Sequence, residues 1–420
     1  MVGRRIVVTG VGVISAIGND RAEFWRSIES GTTGIAPLVP AEPDLGFTQV
    51  AAVRGFDPER QFASRLHQGL DRSAQFALVA ANEAIADSGL RFDDEMKRRT
   101  GVITGCSIGG AITQDAGYER IYRHGRRRMH PMSVPNAMPS AGASQISMQH
   151  GLRGPSFTIS TACASSGHAI GMALWLLRTG ALEAAVVGGS EAMLNHGSLC
   201  AWAALRVLSP TTCRPFSSER SGIILGEGGA MLMLETLDAA RARGARIYAE
   251  LAGFGMTADA HHLTAPSLEG PVSAMRAALT DANVEPGDID YINAHGTGTL
   301  SNDSNEARAI HEVFGETARR LAVSSTKSMH GHTIGASGAI EAVATILAIH
   351  HGVLPPTLNT VPLDPECALD VVPGRARPAT IRAALSNSFA FGGLNAVLAF
   401  RRMDDARVGP ATEIQPNVGV

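Results

Sequence analysis

Apolar runs of strand length alternate along this chain with longer segments whose apolar residues recur at helical spacing. Ile6, Val7, Val8, Val11 and Val13, interrupted by Gly10 and Gly12, predict a strand giving way to a glycine turn. Further on, Ile170, Leu174 and Leu177 share one helical face, Gly180 marks a stop, and AAVVGG over 184–189 predicts the next strand. Such alternation implies parallel sheets covered by helices on both faces. The chain closes on a predicted hairpin, 382–388 with 394–400, around FAFGG. Beyond Arg402 there is Pro, Gly and charge without period, so 403–420 reads as a flexible tail.

Three echoes recur in one order. Gly10 and Gly12 return as Gly253 and Gly255 after a strand predicted over 247–251. The helix ending AIADSGL (84–90) followed by the strand GVITG (101–105) returns as ALTDANV (278–284) and a strand over 289–294. ASSGHAIGMA, after Cys163, returns as ASGAIEAVAT from Ala336. Their shared order divides the chain into two related halves, 1–245 and 246–402.

Composition supports a globular reading and removes several classes. With 420 residues, 45% hydrophobic and 18% charged, there is apolar material for two or three domains or one duplicated unit, not for a disordered or collagen-like chain. A net charge of −3 lacks the basic excess of a dedicated nucleic-acid binder. Five cysteines without CxxC spacing imply a reducing compartment. Arg4 and Arg5 before an apolar run mimic a secretory signal, but Thr9, Gly10, Gly12 and Ser15 break that run. No stretch has the roughly 18 uninterrupted apolar residues of a membrane helix. A cytoplasmic protein with no membrane partner is expected.

Candidate chemistry gathers at a few residues. Cys163, in TACASSG, falls where a strand over 157–160 gives way to a helix, a setting in which free amides and the helix dipole stabilise a thiolate and receive an oxyanion. Cys106, Cys200, Cys213 and Cys367 have no comparable setting. His295 (NAHGTGT) follows a strand at the carboxyl edge of the sheet, where open α/β folds place their sites. His332 (STKSMHGHTIGASG) precedes the helix whose apolar face is Ile340, Val343 and Leu347. Lys97 and Lys327 are the two lysines among 36 basic residues, so an ammonium near His332 is a marked choice. Glu341 would be a charge on an apolar helix face and needs a cation as partner.

These motifs together resemble the β-ketoacyl-[acyl-carrier-protein] synthases of the type II, elongating kind, over residues 3 to 402. The matching segments are VVTGVGVIS, GLRGPS, TACASSG, GEGGAMLMLE, NAHGTGT, SSTKSMHGHTIGASGAIE and SNSFAFGGLNA. The resemblance implies an α/β fold of duplicated thiolase type, layered α-β-α-β-α with two mixed sheets. It implies a dimer, either a homodimer or a heterodimer with a related subunit. The implied reaction is decarboxylative Claisen condensation of an acyl group with malonyl-acyl carrier protein, requiring no metal or redox cofactor. Cys163 is similar to the acyl-accepting nucleophile and His295 and His332 to the decarboxylation pair. Lys327, Glu341, Thr297 and Thr299 look like supporting residues. Phe391 resembles the gating phenylalanine whose amide joins that of Cys163 in the oxyanion hole.

By the same resemblance Ile108, Ser133, Trp202 and Phe391 belong to the acyl pocket. Met132 and Ser133 stand where housekeeping members carry bulky aromatics, and Trp202 and Leu394 are unusual. These departures leave open a specialised synthase for nodulation-type lipids, polyenes or polyketides. Arg126, Arg127 and Arg128, with Arg206 and by extension Arg65 and Arg72, are expected to dock the acidic carrier protein. Other readings compete: a Cys/His thioester hydrolase with an Asn or Asp orienter, a degradative thiolase using Cys367, a dinucleotide site at Gly10 and Gly12, and zinc held by His295, His330 and His332.

Overall fold

A computed structural model describes residues 4–403. The expected tail therefore lies outside the described residues apart from Met403, which packs against Val7, Leu237 and Ala240. Ten strands build the main sheet. In the first half they are β1 (Ile6–Ser15), β2 (Thr100–Gly105), β3 (Ser156–Ile159), β4 (Ala184–Glu191) and β5 (Gly228–Thr236). In the second they are β6 (Ala249–Ala258), β7 (Tyr291–Asn293), β8 (Ala322–Ser324), β9 (Ala383–Ala390) and β10 (Leu394–Arg401). The spatial order β3-β2-β4-β5-β1 is repeated by β8-β7-β9-β10-β6. Antiparallel pairing of β1 with β6, Ile6 opposite Leu251 and Val8 opposite Ala249, joins the two mixed sheets edge to edge.

The sheets are not wholly parallel as the alternation suggested. β5 runs antiparallel to β1 and β4, and β10 runs antiparallel to β6 and β9. A strand buried on both faces reads as a continuous apolar run whatever its direction, so periodicity does not report this.

Seven helices matter here: α1 (Arg72–Ser88), α2 (Ala111–Tyr122), α3 (Ser165–Arg178), α4 (His196–Ala204), α5 (Glu269–Ala282), α6 (Leu300–Phe314) and α7 (Ser337–His351). α3 and α7 form the central layer, each touching strands of both halves, while α1 covers the first half and α5 the second. α1 starts because Asp71 accepts from the Ser73 amide and stops at the left-handed Gly89. α5 stops likewise at the left-handed Asn283. α7, with the turn before it (Ile334–His351), is apolar and long enough by composition to cross a membrane, yet 89% of that stretch is buried inside the protein. It is a core helix.

The glycine echo is real but its cause differs from a turn. Gly10 and Gly12 lie inside β1, where a Cβ would come within 2.1 Å of the Ala84 and Ala80 carbonyl oxygens of α1. Gly255 stands in the same relation to Ala274 O of α5, at 2.1 Å, and Gly253 to Ala282 N at 2.5 Å. Helix and sheet backbones touch there, which also removes the phosphate-binding reading. The central helices meet as closely, since a Cβ on Gly338 would lie 2.8 Å from Gly167 N.

Gly12→Ala is expected to cost roughly 1–3 kcal/mol through overpacking. Gly287→Ala, where a Cβ meets nothing within 4 Å, serves as control and should stay within about 0.5 kcal/mol of the parent. Urea midpoints measure both, and equal midpoints would refute the close contact.

Candidate active site

Equivalent loops from the two halves converge on one buried spot. Cys163 follows β3 and precedes α3; His332 follows β8 and precedes α7. Both loops contain a non-glycine residue in the left-handed region three positions before the helix, Ala162 at φ 49° and Ile334 at φ 47°. Such backbone costs about 1–3 kcal/mol and is held by its surroundings. The first serine of each helix does part of that work. Ser165 Oγ accepts from the Thr161 amide at 2.9 Å and donates to Ala162 O at 2.7 Å. Ser337 Oγ lies 2.8 Å from His332 Nδ1 and 3.2 Å from Thr333 Oγ1.

The Cys163 sulfur and one nitrogen each of His295 and His332 lie within 4.8 Å of one another, and all three residues are buried. His295 sits just past β7 and is held from behind by α6, whose Glu306 accepts from the His295 and Gly296 amides at 2.8 Å each. Lys327 donates to His295 O at 2.7 Å, faces His295 Nδ1 at 3.3 Å and pairs with Glu341. Both members of that pair are fully buried. An ammonium has only protons to give, so His295 Nδ1 is an acceptor and its Nε2 carries the hydrogen. His332 Nδ1 accepts from the Ile334 amide at 3.2 Å, which likewise leaves the hydrogen on Nε2. Both rings therefore enter the site as hydrogen-bond donors.

The electrostatics follow from burial. Desolvation first, then the Lys327 charge, hold His295 and His332 well below the ordinary imidazole range, so both are neutral at pH 7. Burial pushes the Cys163 thiol up to about 12, against the pull of Lys327 and of the Phe391 amide. The expected helix stabilisation of a free thiolate is outweighed: the helix begins at Ser165, two residues on, and Cys163 is buried. Burial also raises Glu341, while Lys327 acts in the opposite sense.

A cavity of about 130 Å³ opens onto Cys163, His295 and His332 and is also lined by Thr297, Thr299, Trp202 and Phe391. The Trp202 and Phe391 rings stack with centroids 6.3 Å apart. Thr299 caps α6 through the Asn302 amide at 3.3 Å, and its hydroxyl lies 2.9 Å from that of Thr297. Ile108 and Ser133 do not line this cavity: Ile108 is 42% exposed and Ser133 half-buried. Arg126, Arg127, Arg128, Arg206 and Arg65 are exposed, whereas Arg72 is tied to Glu227 at 2.7 Å and lies over the Phe76 ring. Arg72 thus belongs to the fold, not to a docking surface.

Ser337 and Glu306 escaped the sequence reading. The signal for Glu306 was present: with Asp303 it lies on the helix face of Ala307, Ile310 and Phe314, where an acid must have an internal donor.

The competing chemistries fit less well. Neither ring is oriented by Asn or Asp, so neither is set up as a hydrolase base. Cys367 is buried in the second core, away from the cavity. His330 turns away, its Nδ1 donating to Gly331 O at 2.9 Å and its Nε2 meeting Thr326 Oγ1 at 3.0 Å. Cys163, His295 and His332 match a metal site by donor type, but the Lys327 ammonium directly behind His295 opposes a second cation. Nearby, Asn293 Oδ1, Ser386 Oγ and Glu341 Oε2 have no donor among the described residues. Such oxygens suit water rather than zinc.

A thiol at a strand-to-helix turn, with two amides and two donor imidazoles around it on a duplicated α/β frame, defines an acyl-transferring condensing enzyme. The chain matches the family models for the beta-ketoacyl synthase N-terminal domain over residues 3–240 and C-terminal domain over 248–361, and it belongs to that family. It is 46% identical to nodulation protein E of a Rhizobium strain over 401 residues, covering 95% of this chain and all of that one. It is 41% identical to 3-oxoacyl-[acyl-carrier-protein] synthase 2 of Staphylococcus aureus over 409 residues, covering 96% and 99% of the two. The solved ishigamide ketosynthase/chain length factor matches with a TM-score of 0.90 and 37% identity over 96% of this chain and all of that one.

Buried neutral histidines make stability depend on acid. Burial and the Lys327 charge push His330 down to about 3. Unfolded imidazole titrates near about 6.5, so below that value the unfolded chain binds more protons and stability falls with pH. Between pH 7 and 5 each such ring is expected to cost up to about 2 kcal/mol. Urea unfolding of His330→Gln against the parent should show a flatter loss; equal slopes would mean that His330 is not kept neutral.

Proposed function

We propose that the chain condenses an acyl group with malonyl-acyl carrier protein in fatty-acyl elongation, releasing CO2 and free carrier protein. The observation that carries this is the buried Cys163 sulfur facing two imidazoles fixed as N–H donors. In the first half-reaction Cys163 attacks the acyl thioester, the S–C bond to the carrier breaks, and the thiol proton leaves with the carrier thiolate. The Cys163 and Phe391 amides receive the developing oxyanion. Burial favours the neutral thiol in the free site, while Lys327 and the Phe391 amide favour the anion. In the second half-reaction malonyl thioester loses CO2, and the Nε2 hydrogens of His295 and His332 hold the enolate oxygen while its carbon attacks the acyl-Cys163 thioester. Lys327 and Glu341 act through His295, and Thr297 and Thr299 shape the entry. The division of labour between residues 1–245 and 246–402 follows: the first half carries the nucleophile, the second the donors.

A second reading, a specialised ketosynthase with the same chemistry, is favoured by the cavity itself. Trp202 fills part of it and stacks on Phe391, which restricts the acyl groups admitted. Around the half-buried Ser133, Val134 and Met138 are 67% and 47% exposed. We assign this apolar ground, with Ile108, to a second subunit that completes the acyl pocket, either a second copy or a related chain. Carrier protein is assigned to the exposed Arg126, Arg127, Arg128 and Arg206, and the cytoplasm to a chain whose five cysteines are free.

Incubation with acyl-carrier thioester and peptide mapping should place the acyl group on Cys163 alone, and Cys163→Ala should remain unmodified. His295→Ala and His332→Ala should still self-acylate but lose malonyl decarboxylation by about 100-fold or more. Equal loss of both steps would sink this division. For docking, Arg127→Glu with Arg128→Glu should raise KM for carrier-bound substrate while leaving a small pantetheine thioester nearly unaffected. If both substrates suffer equally, the arginine run is structural.

A further inference from the structure

A second thiol lies within reach of an imidazole, away from the catalytic cavity. On the outer face of α4, His196 and Cys200 are one turn apart, with 3.6 Å between His196 Nε2 and Cys200 Sγ. His196 Nδ1 lies 2.6 Å from Glu42 Oε2, brought in by the turn that precedes Pro43–Leu45. A carboxylate accepts, so Nδ1 carries the hydrogen and Nε2 is left as acceptor for the Cys200 S–H. Sulfur, imidazole and carboxylate in this order are nucleophile, base and orienter. The arrangement is the reverse of that at Cys163, where the facing ring nitrogens are donors. It is not a metal site, because the carboxylate and the thiol occupy opposite nitrogens of one ring. Cys200 is exposed whereas the other four cysteines are buried, so it is the thiol that a solute meets first.

We propose that Cys200 is a modification site that exchanges with low-molecular-weight disulfides. His196 Nε2 takes the thiol proton, and the thiolate attacks one sulfur of the disulfide. A Cys200–sulfur bond forms as the original S–S bond breaks, and the departing thiolate takes the proton from the imidazolium. Cys200 is oxidised and half of the disulfide is reduced to free thiol, so no further oxidant is needed. The site sits on the helix that carries Trp202, on the outside of the acyl cavity wall.

The test treats the full-length protein with glutathione disulfide at pH 7 and follows the adduct by peptide mapping. Cys200 should be modified first, and dithiothreitol should release the adduct. His196→Gln should slow its formation at least about 10-fold, a floor set below the roughly 100-fold or more that a positioned general base typically contributes. Glu42→Gln should slow it about 3-fold at the same residue, the scale of one exposed charge contact. Thermal unfolding of both variants should match the parent, which separates lost activation from lost fold. An adduct on a different cysteine, no adduct, or an undiminished rate in a folded His196→Gln protein would each overturn the proposal.

Discussion

An ammonium sealed from water has three protons to place, and Lys327 places them on Glu341, on the His295 carbonyl and against His295 Nδ1. Burying this pair is costly in desolvation, and removal of one partner typically costs about 3–5 kcal/mol because the other is left uncompensated. What it provides is a fixed tautomer. With Nδ1 facing a cation, His295 can offer only an N–H to the cavity, and it stays neutral to low pH. His332 reaches the same state by another route, through a backbone amide and Ser337. Two neutral donors beside a sulfur are suited to holding negative charge on oxygen, and poorly suited to abstracting protons from water.

The frame that holds these groups is a consequence of close packing. Glycines in β1 and β6 let α1 and α5 sit directly on the sheet, and Gly167 with Gly338 lets the central helices touch. The two helices that follow the Cys163 and His332 loops are thereby fixed against each other. The geometry of Cys163 relative to His332 is set by backbone contact rather than by flexible side chains.

Much of this was legible in the sequence, with instructive exceptions. Gly10 and Gly12 were visible as a repeat, yet alternate glycines read alike in a turn and in a strand pressed by a helix, and only the partner backbone decides. Strand direction in β5 and β10 was not legible because fully buried strands lack a polar face. Glu341 announced itself as a charge on an apolar helix, and Lys327 by rarity. Arg72 looked like part of a basic surface until Glu227, far along the chain, was seen to claim it. Ile108 and Ser133 lie outside the cavity of the single chain. Glu42 and His196 are 154 positions apart and share no motif, so no local pattern joins them.

The paired left-handed residues Ala162 and Ile334 show what a covalent link between the two halves permits. The same strained turn, followed by a serine-led helix, occurs once beside Cys163 and once beside His332. In two identical subunits about a symmetry axis, a mutation would alter both turns together. In one chain each turn can be changed alone, so one can hold a thiol while the other holds an imidazole. The asymmetry of the site thus depends on the covalent link between the halves.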